Sequence, residues 1–334
     1  MTNIDLFAIG NALIDLEFKV TDEFLNEQNL QKGTMQLSDG ETQQKLLDHL
    51  NNTQVNKGQA SGGSAANTTV AFSALGGSAF YACRVGHDEF GSTYLKGLNE
   101  AGITTSLKSV SNGVTGTCVV LSSADAERTM QTYLGITAEL SDEQIDLSPL
   151  RSAKWLYIEG YLSTSDTARA AVKKARQIAK DNNVKIALTL SDPAMVQYAR
   201  QGLDELIGDG VDLIFCNEDE AQMYTKTDSV EAAFAKLKLL SNEVVITLSE
   251  KGALVGNQYE QFYIDGRKVN AIDTLGAGDA FAGAFLYARN NGEDLKTSTE
   301  LAILVSSEIV SQYGPRLELT HYAKLLQNFQ KECA

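Results

Sequence analysis

The chain contains few of the residues from which metal centres and disulfide frameworks are built. Its 334 residues include three histidines and four cysteines. The four cysteines have no metal-type spacing. Cys83, Cys118 and Cys216 lie in apolar, strand-like segments, and Cys333 is the fourth. We therefore expect no histidine-based zinc site, and we expect free thiols buried in a protein of a reducing compartment.

Long apolar runs and basic clusters are also missing. No stretch approaches the roughly 18 uncharged apolar residues of a membrane span, and the N-terminus has no basic leader. The 43 acidic side chains outnumber the 28 basic ones, which gives a formal net charge of −15. These features predict a cytoplasmic protein without a membrane or nucleic-acid partner. If such a chain binds phosphate, backbone N–H groups, a few basic side chains or a divalent cation must supply the positive charge.

One glycine turn near the C-terminal end organises the chain. Gly276-Ala277-Gly278 opens a run of small and apolar residues that reads as a buried helix, with Asp279 in its first turn. The N–H groups at such a helix start form an anion site. Asp279 is interpreted either as a general base facing a transferred phosphate or as a helix cap. The spacing matches neither a Walker A loop nor the Rossmann fingerprint, which weakens a nicotinamide-dependent oxidoreductase.

A second glycine turn, Gly62-Gly63, opens another helix of small residues and is followed by Asn67. Small residues let backbone N–H groups approach a ligand closely. A flexible linker fits this stretch poorly, because the glycines join directly to an apolar helix.

Polar residues near the N-terminus lie where a buried strand passes into an alternating one. Asn11 and Asp15 occupy this position, and turn chemistry is the alternative role for Asp15. Residues 114–121 and 127–133 read as a hairpin, which with the strand after Asp15 would form a small separate sheet over a site. Arg128 lies on that hairpin, either as a site residue or as a solvated surface charge.

From residue 153 onward, apolar strands alternate regularly with helices. This pattern predicts a mainly parallel sheet covered by helices, in which ligands bind beyond the carboxyl ends of the strands. The polar residues that end or follow such strands are Asp192, Asn217, Glu220, Thr247 and Asp279. Five polar groups at one sheet edge indicate a site.

Three of these motifs together resemble a known family. Asp273-Thr-Leu-Gly-Ala-Gly-Asp-Ala-Phe281 is similar to the signature D-T-x-G-A-G-D-x-F of the ribokinase-like (PfkB-type) family of sugar and nucleoside kinases. The stretch 62–67 resembles its G-G-x-x-x-N motif, and 217–220 resembles its N-x-x-E motif. With residues 10–15, these regions follow the family's order across nearly the whole chain.

The resemblance implies an α/β fold in which a mainly parallel sheet, flanked by helices, carries a small β-sheet lid. The large nucleotide-binding and catalytic domain would comprise residues 1–10, 40–112 and 137–334. The lid would comprise residues 11–39 and 113–136 and would exclude water from the reaction.

The resemblance also assigns roles to the residues of the motifs. Asp279 would be the base that activates the acceptor hydroxyl, and the N–H groups of Gly276, Ala277 and Gly278 would form an anion hole. The residues implied in acceptor binding are Asn11, Asp15, Gly62, Gly63, Asn67, Arg128 and Tyr161. The residues implied at the ATP end are Asn217, Glu220, Thr247 and Gly252. Of these, Asn217 and Glu220 would organise Mg²⁺ through water and phosphates without ligating it directly.

The prediction for the acceptor rests on three shorter stretches, which look similar to adenosine-kinase-like members of the family. These stretches are 10–15, 125–129 and 158–161. The resemblance implies an ATP- and Mg²⁺-dependent kinase of purine salvage that phosphorylates a primary hydroxyl of a ribonucleoside, adenosine first. A sugar kinase of the ribose or fructose type is the alternative, and a catalytically silent ligand sensor is a further one. Tyr161 would either stack on a base or pack in the core. Use of a monovalent cation and the choice between monomer and homodimer stay open.

Overall fold

Runs of consecutive apolar residues form the central strands, and such runs predict burial on both faces of a sheet. The computed structural model describes residues 4–53, 55–125 and 127–333; positions 1–3, 54, 126 and 334, all inside the predicted domain ranges, lie outside this part. The strands of the described part are β1 (Leu6–Ile9), β2 (Leu13–Lys19), β3 (Met35–Leu37), β4 (Val55–Gly62), β5 (Ala79–Ala82), β6 (Val85–Gly86), β7 (Val110–Ser111), β8 (Gly116–Ser122), β9 (Arg128–Tyr133), β10 (Trp155–Glu159), β11 (Lys185–Thr189), β12 (Val211–Asn217), β13 (Ser241–Thr247), β14 (Ala253–Asn257) and β15 (Gln261–Ile264). Its α-helices are α1 (Asp22–Glu27), α2 (Gly40–Thr53), α3 (Ser64–Ala74), α4 (Glu89–Glu100), α5 (Asp166–Asp181), α6 (Pro193–Tyr198), α7 (Arg200–Ile207), α8 (Glu218–Thr225), α9 (Val230–Leu237), α10 (Ala277–Asn290), α11 (Leu295–Val310) and α12 (Leu319–Cys333).

The larger sheet is buried on both faces. Its eight strands have the order β15-β14-β13-β12-β11-β10-β1-β5, parallel from β5 to β13 and antiparallel at β14 and β15. In β1, Leu6 and Ala8 pack on the side of α3, α10 and α11, whereas Phe7 and Ile9 pack on the side of α5 to α9. The period of two therefore places alternate residues in two different cores. The predicted α/β class, a mainly parallel sheet flanked by helices, is confirmed.

The smaller sheet has its own core. Its order is β3-β9-β8-β2-β4, and the predicted hairpin is present as the antiparallel pair β8–β9. In β8, Val119 and Leu121 pack against α1 and α2, whereas Cys118 and Val120 face a cavity between the two sheets. One face of the smaller sheet is thus covered by helices of the same chain, and the other is available to a ligand.

One strand of the smaller sheet comes from a stretch without a strand pattern. β4, with the sequence VNKGQASG, lies within the range 40–112 predicted for the large domain, yet it pairs antiparallel with β2 in the smaller sheet. Its polar and glycine residues have low strand propensity, so its conformation depends on pairing with β2. No helix in the part of the chain that the structure describes combines the length and the apolar composition of a bilayer-crossing segment.

The two-faced burial of the large sheet predicts a strong position effect on stability. Leu213 in β12 is fully buried, whereas Leu239 is 81% exposed. We expect Leu213→Ala to lower the free energy of unfolding by about 2–5 kcal/mol, because it removes buried methyl groups and leaves a cavity. The matched Leu239→Ala change should stay within about 0.5 kcal/mol of the unmutated chain. Urea denaturation checks both variants, and equal effects would contradict the described packing.

Candidate active site

Two helices of small residues, α3 and α10, pack unusually close together. A Cβ on Gly283 of α10 would lie 2.3 Å from the carbonyl oxygen of Thr68 and 2.8 Å from the Cβ of Ala71, both in α3. Glycine at this position is what allows the approach. The first turns of the two helices, each following a glycine turn, therefore meet.

The carboxylate of Asp279 is held by α3 and does not cap its own helix. Ser64 Oγ donates to Asp279 Oδ1 at 2.6 Å, and Asn67 Nδ2 donates to Oδ2 at 3.0 Å. The N-cap of α10 is instead Gly276, whose left-handed φ of 75° only glycine adopts easily. Burial raises the pKa of Asp279, although the hydrogen bonds from Ser64 and Asn67 and the charge of Arg316 oppose this. Of the two interpretations of Asp279, the helix cap is therefore wrong, and the general base stays a prediction.

The start of α10 is open to a ligand. The N–H of Ala277 donates to the carbonyl oxygen of Thr274 at 3.3 Å, while helix geometry leaves the N–H groups of Gly278 and Asp279 without acceptors inside the helix. A Cβ on Gly278 would meet no atom within 4 Å. An anion can therefore approach these N–H groups and the positive end of the helix dipole.

Asp15 is buried against a glycine at the lid side of the cavity. A Cβ on Gly62 would lie 2.2 Å from Asp15 Oδ1, so only glycine leaves room for this carboxyl group. Gly63 has a φ of 95°, and a Cβ there would lie 2.6 Å from the carbonyl oxygen of Asn11. Burial raises the pKa of Asp15 to about 7; the charge of Arg316 opposes this rise, the charges of Glu17 and Asp279 add to it, and the charge of Arg128 opposes it again. Such a carboxyl group is available to accept or donate a hydrogen bond near neutral pH.

Glu159 fastens the end of β1 to the start of α3. Its Oε1 accepts from the N–H of Asn11 at 2.7 Å, and its Oε2 accepts from the N–H of Ala65 at 2.9 Å. The side chain is fully buried, which raises its pKa to about 7. Its position directly after an apolar strand was a usable signal, but the sequence reading gave Glu159 no role of its own.

Asn217 and Glu220 form a closed capping box at the start of α8. Glu220 N–H donates to Asn217 Oδ1 at 2.8 Å, while Asn217 Nδ2 and N–H donate to the two Glu220 oxygens at 2.7 and 3.1 Å. Thr247 lies beside Asn217 in the register of β12 and β13. Burial raises the pKa of Glu220 to about 8, and no basic side chain of the described residues forms an ion pair with it. A cation close to Glu220 would therefore be stabilising.

The far end of the cavity lies between two loops and α11. Gly252 has a φ of 100°, and a Cβ there would lie 1.9 Å from the carbonyl oxygen of Ile264. This contact holds the turn after β13 against the segment that includes Arg267 and Lys268, both of which line the cavity. Ser307 of α11 lies on the same wall.

Thirteen of the fifteen predicted site residues line one cavity of about 1040 Å³, which is large enough for two small ligands. They are Asn11, Asp15, Gly63, Asn67, Tyr161, Asn217, Glu220, Thr247, Gly252, Gly276, Ala277, Gly278 and Asp279. Gly62 lies behind Asp15. Arg128 is also absent from the wall: it pairs with Asp273 and donates to Ser122 Oγ at 2.8 Å. Tyr161 is partly buried and also packs against the core beside α5 to α9.

The sequence reading missed two polar residues that contact the centre of the site. Ser64 occupies a variable position, written x, of the second glycine motif G-G-x-x-x-N, so the motif predicted no role for it. Arg316 follows Gly314-Pro315 in the connection between α11 and α12, and its Nε donates to Asn67 Oδ1 at 2.8 Å. Only the tertiary fold brings a residue 249 positions away to Asn67.

Comparison with known proteins places this geometry in context. The sequence matches the profile of the pfkB family carbohydrate kinases over residues 34–321. The structure is similar to that of adenosine kinase from Sinorhizobium meliloti, with a TM-score of 0.91, 30% identity and coverage of 100% of both chains. It is also similar to a protein described as a probable sugar kinase from Rhizobium etli, with a TM-score of 0.90 and 31% identity over 97% of this chain and 98% of the other. Adenosine kinase from Saccharomyces cerevisiae is 28% identical over 93% of this chain and 96% of its own length.

The two glycines of the α10 turn should respond differently to alanine. Gly276→Ala places a Cβ 2.5 Å from Pro315 Cβ in a left-handed conformation, so we expect a loss of about 1–2 kcal/mol or more in unfolding free energy. Gly278→Ala has open space and should unfold within about 1 kcal/mol of the unmutated chain. The Gly278 methyl group would nevertheless project where an anion approaches and should weaken anion binding. Urea denaturation and ligand titration separate the two effects, and a Gly278→Ala protein with unchanged affinity for phosphate ligands would contradict the anion site.

Proposed function

The chain belongs to the pfkB family of carbohydrate kinases, and we propose that this phosphotransferase moves the γ-phosphate of ATP to a primary hydroxyl of a ribonucleoside, adenosine first. The observation that carries the proposal is the partly buried carboxylate of Asp279, which lies on the cavity wall next to the open N-terminus of α10. A base and an anion site side by side are the two parts that transfer of phosphate to a hydroxyl requires.

In the proposed reaction, Asp279 takes the proton of the acceptor hydroxyl. The hydroxyl oxygen forms its bond to the γ-phosphorus as the bond to the leaving ADP breaks. Ser64 and Asn67 hold the carboxylate in place, and its raised pKa brings it closer to that of an effective base at neutral pH. Of the predicted anion-hole groups, the N–H of Gly278 has no acceptor inside the helix and would stabilise the charge that develops on the transferred group. The N–H of Ala277 could join it, beside that of Gly276, only by giving up its bond to the carbonyl oxygen of Thr274.

Asn217 and Glu220 fit a hydrated divalent cation. Glu220 is a buried carboxyl group without a basic ion-pair partner in the described chain, and Mg²⁺ prefers oxygen atoms while keeping several of its waters. The two side chains would hold those waters, and Thr247 and Gly252 would border the nucleotide. When bound, Mg²⁺ neutralises phosphate charge. Use of a monovalent cation stays a prediction.

The lid wall supports a nucleoside as the acceptor. Seven apolar side chains line the lid side of the cavity; they are Leu13, Met35, Leu37, Cys118, Val120, Met130 and Leu134. A nucleobase offers apolar faces to such a wall, whereas a free sugar carries hydroxyl groups that would lose water there without a partner. Asn11, Asp15 and Asn67 would hold the ribose hydroxyls. Tyr161 would contact the base, and Arg128 would act from the lid through its pairing with Asp273.

A sugar kinase is the second candidate function. The polar group formed by Asn11, Asp15 and Asn67 suits the ring hydroxyls of a free sugar as well as those of a ribonucleoside. The similarity to a protein described as a probable sugar kinase also supports this alternative. The two candidates differ in what they place against the apolar lid wall.

An acceptor panel separates the two candidates. We expect kcat/KM with Mg-ATP to be at least about tenfold higher for adenosine than for ribose or fructose, because burial of a base against the lid is worth about 1.5–3 kcal/mol. A Val120→Ser variant should reduce kcat/KM for adenosine more than for either sugar. Equal or greater kcat/KM for a free sugar would rule out the nucleoside assignment. Absence of phosphate transfer to every acceptor would favour a silent ligand sensor.

Replacing the proposed base tests the mechanism. Asp279→Asn keeps the size of the side chain but cannot accept the proton, so we expect kcat to fall about 10²–10⁴-fold while ATP still binds. Asp294→Asn is the matched control, because Asp294 does cap a helix, accepting from Thr297 N–H at 2.7 Å, and asparagine caps equally well. Near-full activity of Asp279→Asn would show that Asp279 is not the base.

A further inference from the structure

Arg316 lies behind the cavity wall and contacts the proposed base through one side-chain amide. Its Nε donates to Asn67 Oδ1 at 2.8 Å, and Asn67 Nδ2 donates to Asp279 Oδ2 at 3.0 Å. Arg316 Nη2 is buried and has no hydrogen-bonding partner in the part of the chain that the structure describes. Burying a donor that has no acceptor costs free energy. The guanidinium group is therefore kept at this position by something other than a complete set of hydrogen bonds.

The chemistry of the three groups permits one orientation of the amide. A guanidinium has donors only, so it must face the oxygen of Asn67. An ionised carboxylate has acceptors only, so it must face the NH₂ group. If the amide turned over, its oxygen would face Asp279 and would favour the protonated carboxyl group, which can donate to it. Arg316 therefore opposes the amide orientation that would stabilise protonated Asp279.

We propose that Arg316 is a positioning residue for phosphoryl transfer, which holds the amide of Asn67 so that Asp279 stays able to accept a proton. The inference rests on the proposed function of Asp279 as the base. It adds a role for the connection between α11 and α12, which touches neither the acceptor nor the nucleotide wall of the cavity.

The charges around Asp279 also support a role for Arg316 in keeping the Asp279 carboxylate able to accept a proton. Burial raises the pKa of Asp279; the hydrogen bonds from Ser64 and Asn67, and then the charge of Arg316, lower it. Among the described residues, the groups whose own pKa is raised by the charge of Asp279 include five that are acidic or phenolic: Asp15, Tyr157, Glu159, Tyr161 and Glu220. Removing Arg316 would leave the carboxylate of Asp279 among these groups without that opposing positive charge, so its pKa would rise further.

The test compares Arg316→Met with the unmutated protein by two measurements. The first is the pH titration of the Asp279 Cγ resonance by ¹³C NMR in ligand-free protein, with Asp279→Asn used to assign the resonance. The midpoint should move to higher pH in Arg316→Met. The second is kcat with adenosine and Mg-ATP, for which the ratio of rates at pH 9 and pH 6 should increase at least about threefold. A rate that falls by the same factor at both pH values, with an unchanged NMR midpoint, would overturn the inference.

Two further variants control for folding and for charge. Arg316→Lys keeps a positive donor that can reach Asn67 Oδ1, so the midpoint should return toward that of the unmutated protein. Arg176→Met removes another buried arginine, which donates to the carbonyl oxygens of Leu206 and Gly210 away from the site, and should leave both pH profiles unchanged. Because the NMR titration requires no turnover, it decides the role of Arg316 even if no acceptor is phosphorylated. If Arg316→Met does not fold, the NMR midpoint of Asp279 in Arg316→Lys is compared with that in Arg176→Met. Equal midpoints support the inference. A higher midpoint in Arg316→Lys, despite its retained positive charge, overturns it.

Discussion

Burial of carboxyl groups along one cleft is the constraint on which the rest of the structure depends. Asp15, Glu159, Glu220 and Asp279 all have a raised pKa, and in each the largest cause is loss of water on burial. A carboxyl group whose pKa is higher in the folded protein than in the unfolded chain favours the folded protein most at low pH. For Asp15, Glu159 and Glu220, that contribution is lost as the pH rises from the ordinary pKa values near 4 to the raised pKa values of about 7 to 8. The ligand-free cleft is thus held at a cost in stability near neutral pH, which a bound cation or hydroxyl donor would reduce.

The chain tolerates this cost because backbone donors and glycines surround the carboxyl groups. Two N–H groups hold Glu159, a capping box holds Glu220, and Ser64 and Asn67 hold Asp279. At the two glycine motifs, Gly62 leaves room for the carboxyl group of Asp15, and Gly283 allows the approach of α10 to α3 that brings Asp279 to Ser64 and Asn67. The glycines of the two motifs therefore serve packing and charge burial together, and a substitution there would disturb both.

The sequence predicted those parts of the fold that local pattern encodes. Apolar strands alternating with helices from residue 153 indicated the parallel sheet, and alternation over 114–133 indicated the hairpin, since periodicity reports burial directly. β4 was not predicted, because its polar, glycine-containing sequence becomes a strand only through pairing with β2. Most of the candidate site was also readable, since its glycine turns and strand-end polar residues are short local signals. Glu159 carried the strand-end signal but was given no role, whereas Ser64 and Arg316 carried no such signal.

The sequence by itself determined most of the helices and strands, the two glycine turns and the carboxylate that follows one of them. It left Asp279 with two roles, because a residue in the first turn of a helix can cap that helix or face a ligand. The tertiary structure excludes the capping role: α10 packs on α3 at Gly283, and Asp279 accepts hydrogen bonds from Ser64 and Asn67 of α3 and does not cap its own helix. It also decided the position of Arg316, since a contact across 249 residues arises only when the two helices and the loop after α11 pack together. Local patterns specify which groups exist, whereas side-chain packing specifies which of them meet.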